Sequence, residues 1–430
     1  MKKVSYRSSW RRLDNTAKIF SLSVDDDMSV FRFSALLQDK IDIELLKRAV
    51  IKALEDYPMY RVKLGTGLFW NYLDFNDRGP VVEEEDDIPC ANINFRKNNN
   101  YLFKVTYYKN KINIDFFHVL TDATGAIVFF KSLIYHYLDL RYNLKHEEKT
   151  NLDFGTKDQY LKYFDKNYSR GSDLKKAYII PGKVDMKVNN TYHYTIDIKD
   201  FKKVCKKEKM TITEYLTAIY IYALYEAYYK KNPNNKELSV SIPINLRKHY
   251  NDETLSNFFT YTNIVSNFKD KDNVSFEDVL VQVKKEYLNK LNSEKIKEYL
   301  ARDVKLGMNL SIRLVPLFVK RAFIKFLGSL VTNSATSRLS NIGVIDFENK
   351  YKKYIDNIFV LVLPNKVQKI KCTVCSYDDK LNITMNSNIN DLNFENIFYD
   401  LLNDKVKDIS VNSNNIIYKK KKRAIVCIRK

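Results

Sequence analysis

The chain has 430 residues, and its 45% hydrophobic and 29% charged residues are the balance of a folded globular protein, which excludes a disordered or fibrous one. At about 100 to 150 residues per domain, this length predicts two or three hydrophobic cores. The chain has 72 lysine and arginine residues against 52 aspartate and glutamate residues, which gives a net charge of +20. Lysine predominates over arginine and is scattered among acidic residues and asparagine, as on a solvated surface. No nucleic-acid partner is therefore expected.

The N-terminal third of the chain combines predicted strands with amphipathic helices. Segments rich in β-branched and aromatic residues predict strands, two of which follow each other closely enough to form a hairpin. Asp42 is the predicted N-cap of a helix in which apolar residues recur every three or four positions. Asp122 stands just before a second helix. The predicted strands are 29–37, 101–108 and 112–118, and the second helix covers 125–140.

A polar segment over residues 145–190 has little periodicity, which is typical of a crossover between two lobes. Beyond it, strands and helices alternate again. Thr211 with Glu214, and Ser275 with Asp278, match the capping-box pattern, and each pair predicts the first turn of a helix. The strands predicted here are 191–198, 238–245, 359–363, 369–377 and 381–388, and the last predicted helix is 394–402.

Both halves of the chain mix helices with strands, and neither shows a βαβ repeat with a glycine-rich fingerprint. The predicted fold class is therefore α+β and not a doubly wound nucleotide-binding sheet. We divide the chain into an N-terminal lobe at 1–160, a crossover linker at 161–190 and a C-terminal lobe at 191–430.

Several kinds of site lack their usual motif. The sequence contains no phosphate-binding Gly-Lys-Ser/Thr loop, no His-Glu-x-x-His and no Gly-x-Ser-x-Gly, so triphosphate, zinc-protease and serine-hydrolase chemistry is not expected. Cys372-x-x-Cys375 lies in a predicted strand, where residues three apart point to opposite faces. Cys372 is therefore expected on a buried face, and no metal site is predicted.

Five histidines are available for acid–base chemistry, and His118 differs from the rest in its surroundings. It ends a strand of alternating apolar residues and precedes Asp122 at a helix start. A histidine held at a strand end with one ring nitrogen free suits a general base with a pKa near 6.5. Structural or solvent-facing roles are expected for the other four, His136, His146, His193 and His249.

Residues 117–125, Phe-His-Val-Leu-Thr-Asp-Ala-Thr-Gly, resemble the active-site motif of the coenzyme-A-dependent acyltransferase superfamily. This superfamily includes chloramphenicol acetyltransferase, alcohol acetyltransferases and peptide-synthetase condensation domains. Further segments resemble it in the same order, and the opening one is closest to the bacterial alcohol-acetyltransferase-like branch. These segments are 10–20, 45–61 with its Pro-x-x-Arg turn, Pro-Ile-Asn-Leu-Arg at 243–247 with Asn-Phe-Phe at 257–259, and the stretch 336–343 that contains Ser-Asn-Ile-Gly.

The resemblance implies two similar chloramphenicol-acetyltransferase-like lobes, each a mixed sheet with flanking helices, and an active-site tunnel between them. It implies that His118 is the general base and that Asp122 pairs with Arg247 of the other lobe in an architectural role. Ser340 and Asn341 line the channel or donate to the oxyanion, or else they cap a strand end. The base deprotonates a hydroxyl or amine that attacks an acyl-coenzyme A thioester, so neither a permanent cofactor nor a covalent acyl-enzyme is implied.

The chain departs from the superfamily pattern at two positions. Phe117 stands where a second histidine is often found, and Ala123 stands where a glycine usually follows the aspartate, with Gly125 two residues later. Gly125 is therefore expected to support the site. Because alanine resists a positive φ, the change at Ala123 puts catalytic activity in question.

Three functions fit these residues. The first is an O- or N-acyltransferase that uses acyl-coenzyme A as co-substrate and a small alcohol, an amine or a lipid as acceptor. The second is a condensation-like enzyme whose acyl donor is delivered by a separate carrier protein. The third is a catalytically degenerate binding or regulatory member of the fold, which a tunnel blocked by side chains would favour.

The location and surface contacts of the protein are predicted from its cysteines and its apolar segments. Five cysteines are too few for a disulfide scaffold, and the sequence shows neither a signal peptide nor about 18 consecutive apolar residues, so we expect a cytoplasmic protein. Residues 312–331 are predicted as a helix that either packs on the protein core or lies on a membrane surface. Basic residues near a tunnel mouth are expected to hold the coenzyme's phosphates, and the basic run 419–423 is expected to contact an anionic surface.

Overall fold

The computed structural model describes residues 10–22, 28–86, 88–147, 158–168, 175–184, 189–269, 273–308, 315–322, 332–389 and 391–414. The strands are β1 (Arg11–Arg12), β2 (Val30–Leu37), β3 (Val62–Thr66), β4 (Asn71–Phe75), β5 (Val82–Glu84), β6 (Phe103–Tyr108), β7 (Lys111–Phe117), β8 (Asn190–Asp197), β9 (Leu238–Asn245), β10 (Phe259–Ser266), β11 (Ser337–Val344), β12 (Ile355–Val362), β13 (Ile370–Tyr377), β14 (Lys380–Ser387) and β15 (Ile409–Ser413). The helices are α1 (Asn15–Phe20), α2 (Ile43–Asp56), α3 (Ala123–Tyr142), α4 (Gln159–Lys162), α5 (Ile198–Lys207), α6 (Ile212–Leu224), α7 (Arg247–Tyr250), α8 (Phe276–Lys290), α9 (Ser293–Met308), α10 (Asn349–Lys352) and α11 (Asn393–Asn403). Single turns of other helix types lie at Pro58–Tyr60 and Tyr225–Tyr229.

The N-terminal lobe is built on a five-stranded sheet in the order β12-β2-β7-β6-β5. Its pairs are antiparallel except for β5 with β6, which makes the sheet mixed. The apolar stripes of α2 and α3 are buried together with the apolar side chains of this sheet. The rings of Phe33 on β2 and Phe130 on α3, for example, lie 5.4 Å apart. A smaller sheet, β1-β4-β3, completes this half.

The C-terminal lobe is built on a seven-stranded mixed sheet in the order β10-β9-β11-β13-β14-β8-β15. β11 runs parallel to both of its neighbours, and the other pairs are antiparallel. Helices α6, α8 and α11 contribute to the second core, which contains mostly aromatic and branched side chains. The predicted α+β class, with two lobes that each contain a mixed sheet and flanking helices, is confirmed.

One strand of the N-terminal sheet comes from late in the chain. β12 pairs antiparallel with β2, from Ile355 opposite Leu37 to Val362 opposite Phe31. The N-terminal sheet therefore contains more than residues 1–160. The alternation of side chains along β12 would be the same in either sheet, so the sequence gives no sign of this crossing. The division at 161–190 stays a prediction.

The predicted helix starts are confirmed by their caps. Asp42 accepts hydrogen bonds from the first-turn amides of α2, and the two predicted capping boxes are formed at α6 and α8. Asp122 caps α3 in the same way, so this helix begins at Ala123, two residues before the predicted start. The N-cap places Asp122 at a fixed point beside the end of β7.

The two cysteines of the Cys-x-x-Cys motif lie on opposite faces of β13, as predicted. Cys372 is part of the C-terminal core, and Cys375 is part of the N-terminal core. Both are free thiols, and burial raises the pKa of each, that of Cys375 to about 12. They therefore act as small apolar side chains that fill the two cores.

Two predicted surface segments fall largely or wholly outside the described residues. Of the helix predicted at 312–331, only 315–322 is described, and the basic run 419–423 is outside the description altogether. Among the helices that are described, none is long and apolar enough to cross a membrane.

Candidate active site

His118 directly follows the last residue of β7, and its position is fixed by a backbone hydrogen bond and by neighbouring aromatic rings. Its backbone amide donates to the carbonyl oxygen of Ser29 at 2.9 Å. Its imidazole is stacked on Phe20, with ring centroids 4.5 Å apart, and is tilted against Phe31 and Phe259 at 4.8 and 5.3 Å. Three aromatic rings from both lobes therefore limit the orientations that the imidazole can adopt.

Asn257 determines which ring nitrogen of His118 carries the proton. The amide nitrogen of Asn257 donates to the backbone oxygen of His118 at 3.0 Å and to Asp14 Oδ2 at 3.1 Å. Since the nitrogen is engaged in this way, Asn257 Oδ1 faces His118 Nδ1 at 3.1 Å and acts as an acceptor. The proton therefore resides on Nδ1, and the lone pair is on Nε2.

Burial keeps the imidazole of His118 neutral. Loss of solvent lowers its pKa to about 4, and the nearby Arg338 guanidinium acts in the same direction. Asp122 and the hydrogen bond to Asn257 act in the opposite direction but are outweighed. The value lies below the pKa of about 6.5 expected for a solvated histidine. At neutral pH the imidazole is thus uncharged.

Asp122 faces away from His118 and pairs with Arg247 of the other lobe. Its Oδ2 lies 2.8 Å from Arg247 Nη1, its Oδ1 lies 3.1 Å from Nη2, and both side chains are buried. The guanidinium also donates to backbone oxygens of Thr254 and Ser256. The amide of Phe258, the residue after Asn257, donates to Asp122 Oδ2 at 2.9 Å. This arrangement joins the start of α3 to the segment that carries Asn257.

Gly125 is needed because other chain segments approach it closely. A Cβ atom at this position would lie 2.2 Å from Thr121 Oγ1 and 2.3 Å from the carbonyl oxygen of Leu255. Ala123, in contrast, is the first residue of α3, and its φ is not among the positive ones of the described residues. The concern that alanine would be strained at this position is therefore removed, and the glycine that the packing requires is Gly125.

The two faces of strand β11 have different surroundings. Leu339 is buried in the C-terminal core, and Ile342 packs against the N-terminal core. Since side chains alternate along a strand, Arg338 and Ser340 point away from the core that contains Leu339. Burial lowers the pKa of Arg338, and its guanidinium lies 6.0 Å from the ring centroid of Tyr261. Ser340 thus shares a face with the charge that acts on His118.

Asn341 lies on the face opposite Ser340. Its Nδ2 donates to Thr213 Oγ1 at 2.9 Å, and its Oδ1 accepts from the amide of Gly343 at 2.9 Å. Both polar atoms are therefore used to fasten the strand to α6 and to shape the bulge at its end. This geometry favours the strand-capping interpretation of Asn341 over the oxyanion one.

Asn257, Asp14 and Arg338 belong to the site but were not among the predicted site residues. All three lie in segments that carry the superfamily resemblance. However, the sequence has many asparagines, aspartates and basic residues, and nothing in the spacing indicates which of them meet His118. Asp14 is also the N-cap of α1, and burial raises its pKa to about 7.

One cavity in the described part of the chain lies in the N-terminal lobe, and His118 is not among its lining residues. It is lined by polar residues of the N-terminal sheet and the segment after β5, including Arg32, Glu85, Lys104 and Asp115. Arg32 and Asp115 make a bidentate pair there with two distances of 2.7 Å. The predicted tunnel at His118 accordingly stays a prediction.

Comparisons with known proteins agree with this architecture. Residues 183–393 match the family model described as alcohol acetyltransferase. A comparison with curated protein sequences finds no match.

Solved structures with the same fold cover nearly the whole chain. TRI101 of F. graminearum, solved with coenzyme A and T-2 mycotoxin, has a TM-score of 0.64 at 12% identity, covering 94% of this chain and 100% of that one. TRI3 trichothecene 15-O-acetyltransferase from Fusarium sporotrichioides has a TM-score of 0.60 at 11% identity, covering 91% and 93%. The starter condensation domain of rhizomide synthetase, solved with C8-CoA, has a TM-score of 0.59 at 12% identity, covering 93% and 95%. The chain is thus similar to the alcohol acetyltransferase family over residues 183–393, a little under half of its length, and shares its two-lobed fold with these acetyltransferases and condensation domains.

Proposed function

We propose that the protein transfers an acyl group from acyl-coenzyme A to a hydroxyl or amine, with His118 Nε2 as the general base. The observation that carries this proposal is the hydrogen bond from His118 Nδ1 to Asn257, which directs the free lone pair to Nε2. The base removes the acceptor's proton as the acceptor oxygen or nitrogen attacks the thioester carbonyl. The imidazolium then returns the proton to the departing thiolate, so proton and leaving group balance without a covalent acyl-enzyme.

The surroundings of His118 support this role. The imidazole is neutral and its ring is fixed by aromatic contacts, so little reorganisation is needed before proton transfer. Asp122 and Arg247 fix the lobes on either side of it and do not contact the reacting atoms in this proposal. Ser340 is the proposed channel or oxyanion residue, since it shares a face of β11 with Arg338.

We infer that the acceptor is a small molecule with a free hydroxyl group or amine. A trichothecene is named for the similar fungal enzyme TRI3, coenzyme A with T-2 mycotoxin for TRI101, and C8-CoA for the starter condensation domain. These ligands support the class of reaction proposed here. A small alcohol, an amine or a lipid remains the proposed acceptor class.

The test compares two partly buried histidines, one just after a strand and one within a strand. His118→Ala is expected to lower kcat/KM by about 10²- to 10⁴-fold, the usual contribution of a general base, in an assay of coenzyme A thiol release. His193→Ala is the matched control, because His193, in β8, likewise contacts an aromatic ring, that of Phe359, and has a pKa lowered by burial to about 3. Retained turnover in His118→Ala, or an equal loss in His193→Ala, would show that His118 is not the base.

The condensation-like alternative differs only in the donor. An acyl group on a carrier protein's phosphopantetheine presents the same thioester to His118, and the fold is shared with condensation domains. Supplying one acyl group as a coenzyme A thioester and as a carrier-protein thioester discriminates the two. A kcat/KM at least tenfold higher with the coenzyme A thioester is the expected result, and the reverse preference would favour the condensation-like function.

A further inference from the structure

A cluster of metal-ligating side chains lies at the end of α3 remote from His118. Asp56 is the last residue of α2, His136 lies in α3, and His146 follows α3 after four residues. One donor atom of each lies within 4.8 Å of those of the other two. The two imidazole rings are 4.7 Å apart and nearly perpendicular. The exposed fraction of the side chain is 33% for Asp56 and 12% and 10% for His136 and His146, so the cluster is largely enclosed but reachable from solvent.

The hydrogen bonds of this cluster orient its histidines. His146 Nδ1 donates to Asp139 Oδ2 at 2.6 Å, and the other oxygen of Asp139 accepts from the hydroxyl of Tyr351. His146 therefore has its proton on Nδ1 and its lone pair on Nε2. A carboxylate behind the imidazole is the usual outer partner of a metal-binding histidine, because it fixes the tautomer and the ring orientation. The ring of Tyr135 stacks on His146 at 5.1 Å and limits its rotation further.

The second histidine already faces the carboxylate. His136 Nε2 lies 2.6 Å from Asp56 Oδ2, which also accepts from the hydroxyl of Ser132 at 2.9 Å. A cation placed between these atoms replaces the proton that they share. Two imidazole nitrogens and one carboxylate oxygen form a donor set that suits zinc, with water as the fourth ligand.

We propose that Asp56, His136 and His146 form a binding site for a divalent transition-metal ion, with Zn²⁺ as the expected occupant. Bonds of about 2.0 to 2.2 Å in a tetrahedron place ligand atoms about 3.3 Å apart. The widest separation in the cluster thus closes by at most about 1.5 Å, while the Asp56–His136 pair opens slightly. Rotation of the half-exposed Asp56 side chain and adjustment of the segment that carries His146 provide this movement. For Nε2 of the neutral His136 to bind the cation, its proton moves to Nδ1 by exchange with solvent, so the imidazole stays neutral.

A metal ion at this site is expected to stabilise the packing of α2 against α3. It ties the last residue of α2 to the C-terminal part of α3, the helix whose first residues form the candidate active site. It also joins both helices to the Tyr351 region through Asp139. A ligand that binds only the folded chain stabilises it in proportion to the logarithm of ligand concentration over Kd, so Zn²⁺ is expected to raise Tm.

The site is tested by metal titration of the full chain without an affinity tag. Zn²⁺ is expected to bind with one equivalent at the cluster, and Co²⁺ is expected to give the visible absorption of a tetrahedral site without a thiolate charge-transfer band. His136→Gln and His146→Gln are each expected to weaken binding by at least about tenfold, and Asp139→Asn by about 10- to 100-fold, because it orients His146 without being a ligand. His249→Gln, at an exposed histidine, is the control and is expected to leave binding unchanged.

Two results of the titration would contradict the proposed metal site. Absence of a one-equivalent Co²⁺ spectrum in the wild-type chain would overturn the proposal, and this measurement requires no variant to fold. Binding that persists at full strength in both His136→Gln and His146→Gln, with circular dichroism like that of the wild type, would overturn it as well. A thiolate band would place the metal on a cysteine; in the described ranges the cysteines are buried, which is why none is expected.

Discussion

Asn257 illustrates how much a single residue contributes to the candidate site. It donates to the backbone of His118 and to Asp14, and it accepts from the imidazole, so one amide sets both the position and the tautomer of the proposed base. The motif around His118 and Asp122 was predictable because its residues are adjacent in the sequence. The partner of the imidazole was not, because it lies 139 positions away and is one of many asparagines. The pKa near 6.5 was also a sequence-based expectation, and burial changes it to about 4.

The pH dependence of turnover follows from this pKa. Only the neutral imidazole accepts a proton, and it stays neutral down to about pH 4, so kcat/KM is expected to lose activity on the acid side near pH 4 instead of near pH 6.5. Arg338→Met removes a positive charge that disfavours the imidazolium, which raises the pKa of His118. The acid limb of the pH–kcat/KM profile is therefore expected to move to higher pH in this variant.

Arg302→Met is the matched control for that profile. Both guanidiniums lie over the ring of Tyr261, at 5.5 Å for Arg302 and 6.0 Å for Arg338, but Arg338 is the guanidinium among the main influences on the pKa of His118. An acid limb that is the same in wild type and Arg338→Met, or that moves equally in Arg302→Met, would contradict the assigned electrostatic effect.

At the scale of elements, helix α3 connects the chemistry of the site to the packing of the N-terminal lobe. Its N-cap is Asp122, and Gly125 in its first turn lets the Leu255 backbone approach closely. The helix itself was predictable from periodicity and a capping residue, since both are local. The close approach of residues 121 and 255 was not, because a glycine in a helix pattern does not reveal what packs against it.

Gly125→Ala is expected to destabilise the protein and to disturb the site. The new methyl group would lie within 2.3 Å of Thr121 Oγ1 and the Leu255 carbonyl oxygen, so α3 or the 255–258 segment must shift. Overpacking of this kind costs about 1 to 3 kcal/mol, which thermal or urea unfolding measures, and kcat/KM is expected to fall as well. Gly79→Ala is the control, because its Cβ meets no atom within 4 Å. Equal effects of the two substitutions would argue against the packing role of Gly125.

At the scale of the whole molecule, the two lobes are joined by a buried ion pair and by strand β12, which comes from late in the chain and joins the N-terminal sheet. Asp122 belongs to the N-terminal lobe and Arg247 to the C-terminal lobe, and each of the pair's side chains is nearly inaccessible to solvent. The resemblance to the superfamily implied this pair before any geometry was available. The pairing of β12 with the N-terminal sheet was not predicted, since strand periodicity is local and does not specify which sheet a strand joins.

A double-mutant cycle measures the coupling of the lobes. Asp122→Asn leaves the Arg247 charge buried without its partner, and a loss of about 3 to 5 kcal/mol in the free energy of unfolding is expected. In Asp122→Asn with Arg247→Met, neither charge remains, so the loss is expected to be smaller than the sum of the two single losses. The exposed pair Asp200–Lys203 serves as control and is expected to show no measurable coupling. Additive losses in the free energy of unfolding at Asp122 and Arg247 would show that the pair does not stabilise the contact between the lobes.

The placement of β12 has a consequence for the order in which the chain folds during synthesis. β2 gains its outer neighbour only when residues 355–362 have been made, so the N-terminal sheet is incomplete for most of the time that the chain is emerging. Until then the edge of β2 carries unpaired backbone groups beside a strongly apolar strand, which is a surface prone to association with other chains. Nascent chains of this protein are therefore expected to expose that edge of β2 until residues 355–362 have been made.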